Sequence, residues 1–97
     1  MEPIHFQWDE KKNRANKKKH GVSFEDAQSV FHDTNARLIG DPDHSDYEDR
    51  FILLGMSETL ALLVVCHCYR QEGSVIRIIS ARKAKRHEIK TYEEHLK

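Results

Sequence analysis

The chain reads as an α+β domain: two N-terminal helices, a small antiparallel β-meander and a C-terminal helix. Three observations lead there. Residues 9–20 are almost all strong helix formers between an Asp and a Gly. Residues 50–81 hold three apolar runs separated by connections of hairpin length. Beyond them, apolar residues recur at helical spacing as far as Leu96. With 97 residues the chain is sized for a single domain with a modest core.

Taken in order, Ile4 to Trp8 alternates loosely and predicts a short strand that stops at Asp9, a good N-cap. Asp9 to His20 predicts the first helix, with Gly21 placed to end it and basic residues in its last turn, favourable against the helix dipole. It has almost no apolar stripe beyond Ala15, so anchoring is expected at its ends, through Trp8 and Val22. Ser23 and Asp26 form a variant of the capping box and open a second helix. Its apolar face is Phe24, Ala27, Val30 and Phe31, and Asp33-Thr34-Asn35 ends it. Ala36 to Ile39 suits a short strand, and Gly40 to Asp49 has turn chemistry. The strands of the meander are predicted at Arg50 to Met56, Leu60 to Tyr69 and Val75 to Ala81, the middle one central because it is apolar on both sides. Arg82 to Leu96 is the final helix, with Ala81, Ala84, Ile89, Tyr92 and Leu96 as its buried stripe.

The formal net charge is zero, which taken alone speaks against a nucleic-acid binder. The charges, however, are segregated. Residues 11–20 carry six Lys and Arg, residues 82–90 carry five, and residues 41–49 carry five acids. The field at a surface follows local segregation, not the sum. Two basic helical patches are therefore either solvated faces or phosphate anchors.

Arginines at strand ends narrow the choice. Arg50 opens one strand and Arg70 closes the next, so a meander brings them to the same end of the sheet. Arg77 interrupts an apolar run, and Arg82 follows it. By alternation Arg77 and Ile79 share one face, while Ile76, Ile78, Ser80 and Arg82 share the other. A strand-face arginine must be exposed or paired. Glu48, Asp49 and Glu88 are possible partners, and phosphate is the other, through two charge-assisted hydrogen bonds from the guanidinium fork.

The chain has seven histidines. His20, beside a lysine run, and His67, near Tyr69 and Arg70, are candidates for proton transfer near neutral pH. Cys66 and Cys68 share a strand face, poor geometry for pairing with each other, and His67 points the other way. With no C-x-x-C pair and no H-x-x-x-H, neither a metal site nor a cofactor is expected. Met1-Glu2-Pro3 lacks the apolar core of a signal peptide and no run reaches membrane length, so a cytoplasmic protein with reduced thiols is expected.

Nearly the whole chain resembles the BrnT family of toxins. The resemblance is carried by Phe6-Gln7-Trp8-Asp9, Lys12-Asn13, Asn16 and Lys19-His20-Gly21-Val22-Ser23-Phe24. Phe31, Asp33, Arg50, Gly55, Arg70, Arg77-Ile78-Ile79-Ser80-Ala81-Arg82-Lys83-Ala84, Glu88 and Tyr92 continue it. The segment Cys66-His67-Cys68-Tyr69 departs from the family's Tyr/Thr-type stretch and changes the polar groups beside Arg70.

The resemblance implies a fold similar to RelE-type ribonucleases and the toxin half of a type II toxin–antitoxin pair. Such a toxin cleaves RNA and blocks translation. It is neutralised by a BrnA-type antitoxin, through which alone it meets operator DNA. On that basis His20, Arg50, Arg77, Arg82 and Glu88 are the candidate catalytic residues, with Arg50, Arg77 and Arg82 on the scissile phosphate. His20 leads for proton transfer, with Glu88, Tyr92 and His67 behind it. Lys12, Lys19, Arg70, Lys83 and Arg86 are the candidate contacts to flanking phosphates. Two other readings compete: a non-catalytic nucleic-acid-binding subunit of a DNA-bound regulatory complex, and a small interaction domain whose charges are only solvated.

Overall fold

The computed structural model describes residues 4–40 and 50–96. Its elements are β1 (His5–Gln7), α1 (Glu10–His20), α2 (Phe24–Ser29), a 3₁₀ turn (Val30–His32), β2 (Arg37–Gly40), β3 (Arg50–Met56), β4 (Leu62–Arg70), a second 3₁₀ turn (Gln71–Gly73), β5 (Val75–Lys83) and α3 (Arg86–His95). Of the turn expected at Gly40 to Asp49, Gly40 is the last residue of β2, and the rest lies outside the described residues.

The helix boundaries follow from their caps. The Asp9 carboxylate accepts from the Lys11 N–H and starts α1. Gly21 ends it in the left-handed region at φ 72°, where its N–H reaches the Lys17 carbonyl at 2.8 Å. The Ser23 hydroxyl accepts from the Asp26 N–H and starts α2.

One five-stranded sheet has the order β1-β5-β4-β3-β2. Strands β2 to β5 pair antiparallel with their neighbours, but β1 pairs parallel to β5, so the sheet is mixed and not purely antiparallel. A parallel pair needs a long crossover, and the stretch from α1 to β4 provides it. A second correction concerns the last strand. Arg82 and Lys83 do not begin the final helix. They stay extended because β4 is nine residues long and offers them Val64 and Leu63 as partners. The helix starts at Arg86 instead, and Ala81 belongs to the strand.

The two faces of the sheet are covered differently. Leu53, Leu63, Val65, Ile78 and Ala81 pack under Val22, Phe24, Ala27 and Val30 in the main core. On the reverse face, Tyr92 and Ala84 pack against Leu54, Val64, Ile52, Met56 and Leu62. Of the stripe expected for α3, Tyr92 is buried, whereas Ile89 and Leu96 remain 39% and 52% exposed. Gly55 sits where the 3₁₀ turn crosses β3. A Cβ there would stand 2.9 Å from both Val30 Cγ1 and Ala36 Cβ, so any side chain would push the turn off the strand.

Helix α1 is not held only by its ends. Asn13 and Asn16 are buried in its middle. The Asn16 amide donates to the carbonyls of Val22 and Ala81, both at 2.8 Å, and its oxygen accepts from the Ala81 N–H at 3.2 Å. Asn13 accepts from the Phe24 N–H at 2.8 Å and donates to Glu10 and Glu25. Strand β1 has ended before Ala81, so the Asn16 amide takes the place of a strand partner on that edge.

Asp33 does the same at the far edge. Its Oδ2 accepts from the Met56 N–H at 2.8 Å, beyond the end of β2, and from the Tyr92 hydroxyl at 2.6 Å. Burial pushes the Asp33 carboxyl up, but hydrogen bonds from Met56, Tyr92 and Asn35 outweigh it and hold the group below the usual carboxylate range. The Tyr92 phenol is pushed up to about 12 by burial and by Asp33.

Two stability predictions follow from these edge contacts. Asn16→Ala strands buried groups of Ala81 and Val22 and should cost about 3 kcal/mol, read as a lower urea midpoint at unchanged slope. Tyr92→Phe should cost about 2 kcal/mol, since the lost bond is to a charged group. The raised Tyr92 value also means that its contribution is complete below about 10 and is lost as pH rises towards about 12. Unfolding titrations should show this alkaline loss in the parent chain and not in Tyr92→Phe.

Candidate nucleic-acid interface

Register decides which side chains meet. Arg50 pairs with Cys68, and Cys68 pairs with Arg77, which in turn pairs with Gln7. Directly paired residues share a face, so one row across four strands reads Gln7, Arg77, Cys68, Arg50. Arg82 pairs with Val64, whose other neighbour is Leu54. That row lies on the same face.

Strict alternation separates Arg77 from Arg82, five positions along. The structure corrects this through a β-bulge. Ser80 pairs with Cys66 and Ile78 with His67, which leaves Ile79 as an extra residue. The bulge resets the alternation, so Arg77, Ser80 and Arg82 look out on one side, with Cys66 and Cys68 as their neighbours. Arg70 lies on this face too, two residues beyond the partner of Arg50. Cys66 and Cys68 are not joined in a disulfide.

The arginines differ in their partners. The Arg77 guanidinium donates to Gln7 Oε1 at 2.9 Å, and this neutral amide leaves its charge uncompensated by that contact. Arg82 makes a two-pronged pair with Glu88 at 2.8 and 2.9 Å. Those hydrogen bonds hold the Glu88 carboxyl down to about 2, against the opposing effect of burial, and raise Arg82. Glu88 also accepts from the Lys85 N–H at 2.8 Å and so caps α3. Lysine has no acceptor to complete a capping box. A carboxylate held this low is ionised at neutral pH and has no proton to donate. Its geometry suits holding Arg82 in place.

The basic helix borders the same region. Lys12, Ala15, Asn16, Lys19 and His20 follow helical spacing and, with Ile79 and Ser80, line a cleft of about 240 Å³ between α1 and β5. His20 is half-buried there, and Lys12 and Lys19 are exposed. Ser80 joins this cleft to the arginine face.

Other candidates are placed elsewhere. His67 is fully buried on the opposite face, its ring 4.8 Å from Phe31, with Nε2 3.2 Å from the Tyr69 hydroxyl. Burial lowers its pKa. It is part of the core and out of reach of a ligand on the arginine face. Tyr92 is likewise committed to Asp33. Lys83 pairs with Leu63 and so leans to the face away from Arg82, while Arg86 is exposed at the first position of α3. Gln7 was not among the residues expected at this site. Its signal was its place in β1, one strand over from Arg77, which becomes visible only once β1 is known to run parallel to β5. Among the described residues, no three or more His, Cys, Asp or Glu side chains gather as a metal site would need. No helix among them is long and apolar enough to cross a membrane.

Comparison with known proteins agrees with the resemblance read from the motifs. Residues 8–88 match the family model described as the ribonuclease toxin BrnT of type II toxin–antitoxin systems. The chain is also similar to the crystal structure of the Brucella abortus ribonuclease toxin BrnT. The TM-score is 0.65 at 25% identity, covering 86% of this chain and 99% of that one. No curated protein matches. With its arginine-bearing sheet face and a family match over most of its length, this chain belongs to the BrnT family of ribonuclease toxins of type II toxin–antitoxin systems.

Proposed function

We propose that this chain is a single-domain, metal-independent endoribonuclease with a RelE-like fold that acts in the cytoplasm, cleaves RNA and so inhibits translation. A BrnA-type antitoxin neutralises it, and the complex meets operator DNA only through that partner. The observation that carries this reading is the convergence of Arg50, Arg77 and Arg82 on one sheet face, beside a cleft lined by Lys12, Lys19 and His20.

RNA brings its own nucleophile, the 2′-hydroxyl. The enzyme must take that proton, stabilise the added charge at phosphorus and return a proton to the leaving 5′ oxygen. Fixed guanidinium groups aimed at the phosphate supply the electrostatic part, and holding the ribose in line supplies the rest. Arg50 and Arg77 bind the scissile phosphate. Arg82 joins them while oriented by Glu88, since a guanidinium has five N–H donors and the carboxylate uses only part of them. His20 is the proton-transfer group, because it is the imidazole that lines the cleft next to Ser80 and the arginine face. Lys12, Lys19, Arg70 and Arg86 contact flanking phosphates, whereas Lys83, expected among them, leans to the other face and is left out of this set.

Folded Arg77→Ala, Arg82→Ala and His20→Ala variants should each lose about a hundredfold in cleavage of a defined RNA, with cyclic-phosphate ends formed by the parent chain under excess chelator. Unchanged cleavage in all three would sink the assignment. Stable shifted complexes without cleavage by the parent would favour the non-catalytic subunit instead. The neutral partner of Arg77 gives a sharper test. Gln7→Glu keeps the shape of the contact but neutralises the arginine. Binding to non-cleavable RNA should weaken, and the slope of log K against log salt should fall by about 0.7, the value of one single-strand phosphate contact. Gln7→Met should leave that slope unchanged.

A further inference from the structure

Besides the polar Asn16 and Ser80, the cleft between α1 and β5 is lined by two kinds of chemistry. Lys12, Lys19 and His20 are cationic or titratable, whereas Ala15 and Ile79 are apolar. Ile79 is the extra residue of the bulge, and it belongs to neither buried core cluster. It is half-exposed, and Ala15 is exposed on the surface of α1. A site built for phosphate alone gains nothing from apolar lining. A nucleobase does, since its flat face sheds water against apolar or aromatic groups while cations hold the chain on either side. Lys12 and Lys19 are two helical turns apart, about 10.5 Å along the axis, with the apolar pair lying between them in the cleft.

We propose that this cleft is a nucleobase subsite. One unpaired base of the bound RNA lies against Ala15 and Ile79, beside the His20 imidazole, while Lys12 and Lys19 take phosphates before and after it. This deepens the ribonuclease reading and rests on RNA being the ligand of the basic surface. Its consequence is that one base, and not the backbone alone, contributes to affinity, with little preference among the four because each has a flat face to offer.

The test compares two non-cleavable ligands of equal length and charge: a 2′-O-methyl oligoribonucleotide and the same backbone with its bases removed. The full chain should bind the base-bearing oligomer about fivefold tighter or more, the low end for one base stack. Ala15→Leu fills the cleft from an exposed helix position without touching a charge, and Ile79→Ala removes the other apolar lining residue. Each should shrink the difference between the two ligands and leave the salt dependence unchanged. Equal binding of both ligands by the parent chain, or a difference that persists in both variants, overturns the proposal. Failure of the parent chain to cleave RNA would count against the ribonuclease reading alone, because this comparison involves no cleavage.

Discussion

Both edge strands of this sheet are shorter than the strands they border. β1 has three residues against nine in β5, and β2 has four against seven in β3. Backbone groups past the ends of β1 and β2 would be left without partners while half covered by helices, and such groups are costly. Two side chains meet this need. The Asn16 amide completes the edge of β5 at Ala81, and the Asp33 carboxylate completes the edge of β3 at Met56. Each also ties a helix to the edge it repairs: Asn16 fixes α1 to β5, and Asp33 fixes α3 through Tyr92. The positions of the basic helix and of the Glu88 helix relative to the sheet thus rest on these two polar contacts as much as on the apolar core.

With the helices placed, the open half of one sheet face is lined by arginines. Its arrangement depends on a single extra residue. Without the bulge at Ile79, Arg77 and Arg82 would lie on opposite sides of β5. Their partners then set them different tasks. Gln7 orients Arg77 without neutralising it, while Glu88 orients Arg82 and cancels its charge. An anion approaching this face meets the field of Arg77 undiminished by its partner and must compete with Glu88 for Arg82.

Much of this architecture was legible in the sequence, for physical reasons. Caps are local, so Asp9, Gly21 and Ser23 marked helix ends from their own chemistry. The three long strands showed in their apolar runs and hairpin-length connections. The parallel docking of β1 did not show, because three residues carry too little pattern to name a partner. The bulge did not show either: it is a property of pairing, and alternation read along β5 alone placed Arg82 on the wrong face. Continuing β5 through Lys83 required knowing how far β4 extends. The arginines and the lysine stripe were picked out by charge, whereas Gln7 is neutral and gains meaning only through its neighbour. His67 misled for the opposite reason, since a titratable side chain within an apolar strand can equally be a core residue hydrogen-bonded to its own strand.

The attachment of α1 by two asparagines also bears on how such a protein can change over generations. A helix docked by an apolar stripe must keep that stripe, and its solvent side is shaped by the same packing. Here Asn13 and Asn16 hold the helix, and most of its other positions are exposed. Lysines can be gained, lost or moved there with little change in folding free energy. The charge carried by α1 is therefore open to drift and selection separately from stability, which loosens the trade-off that usually binds the two.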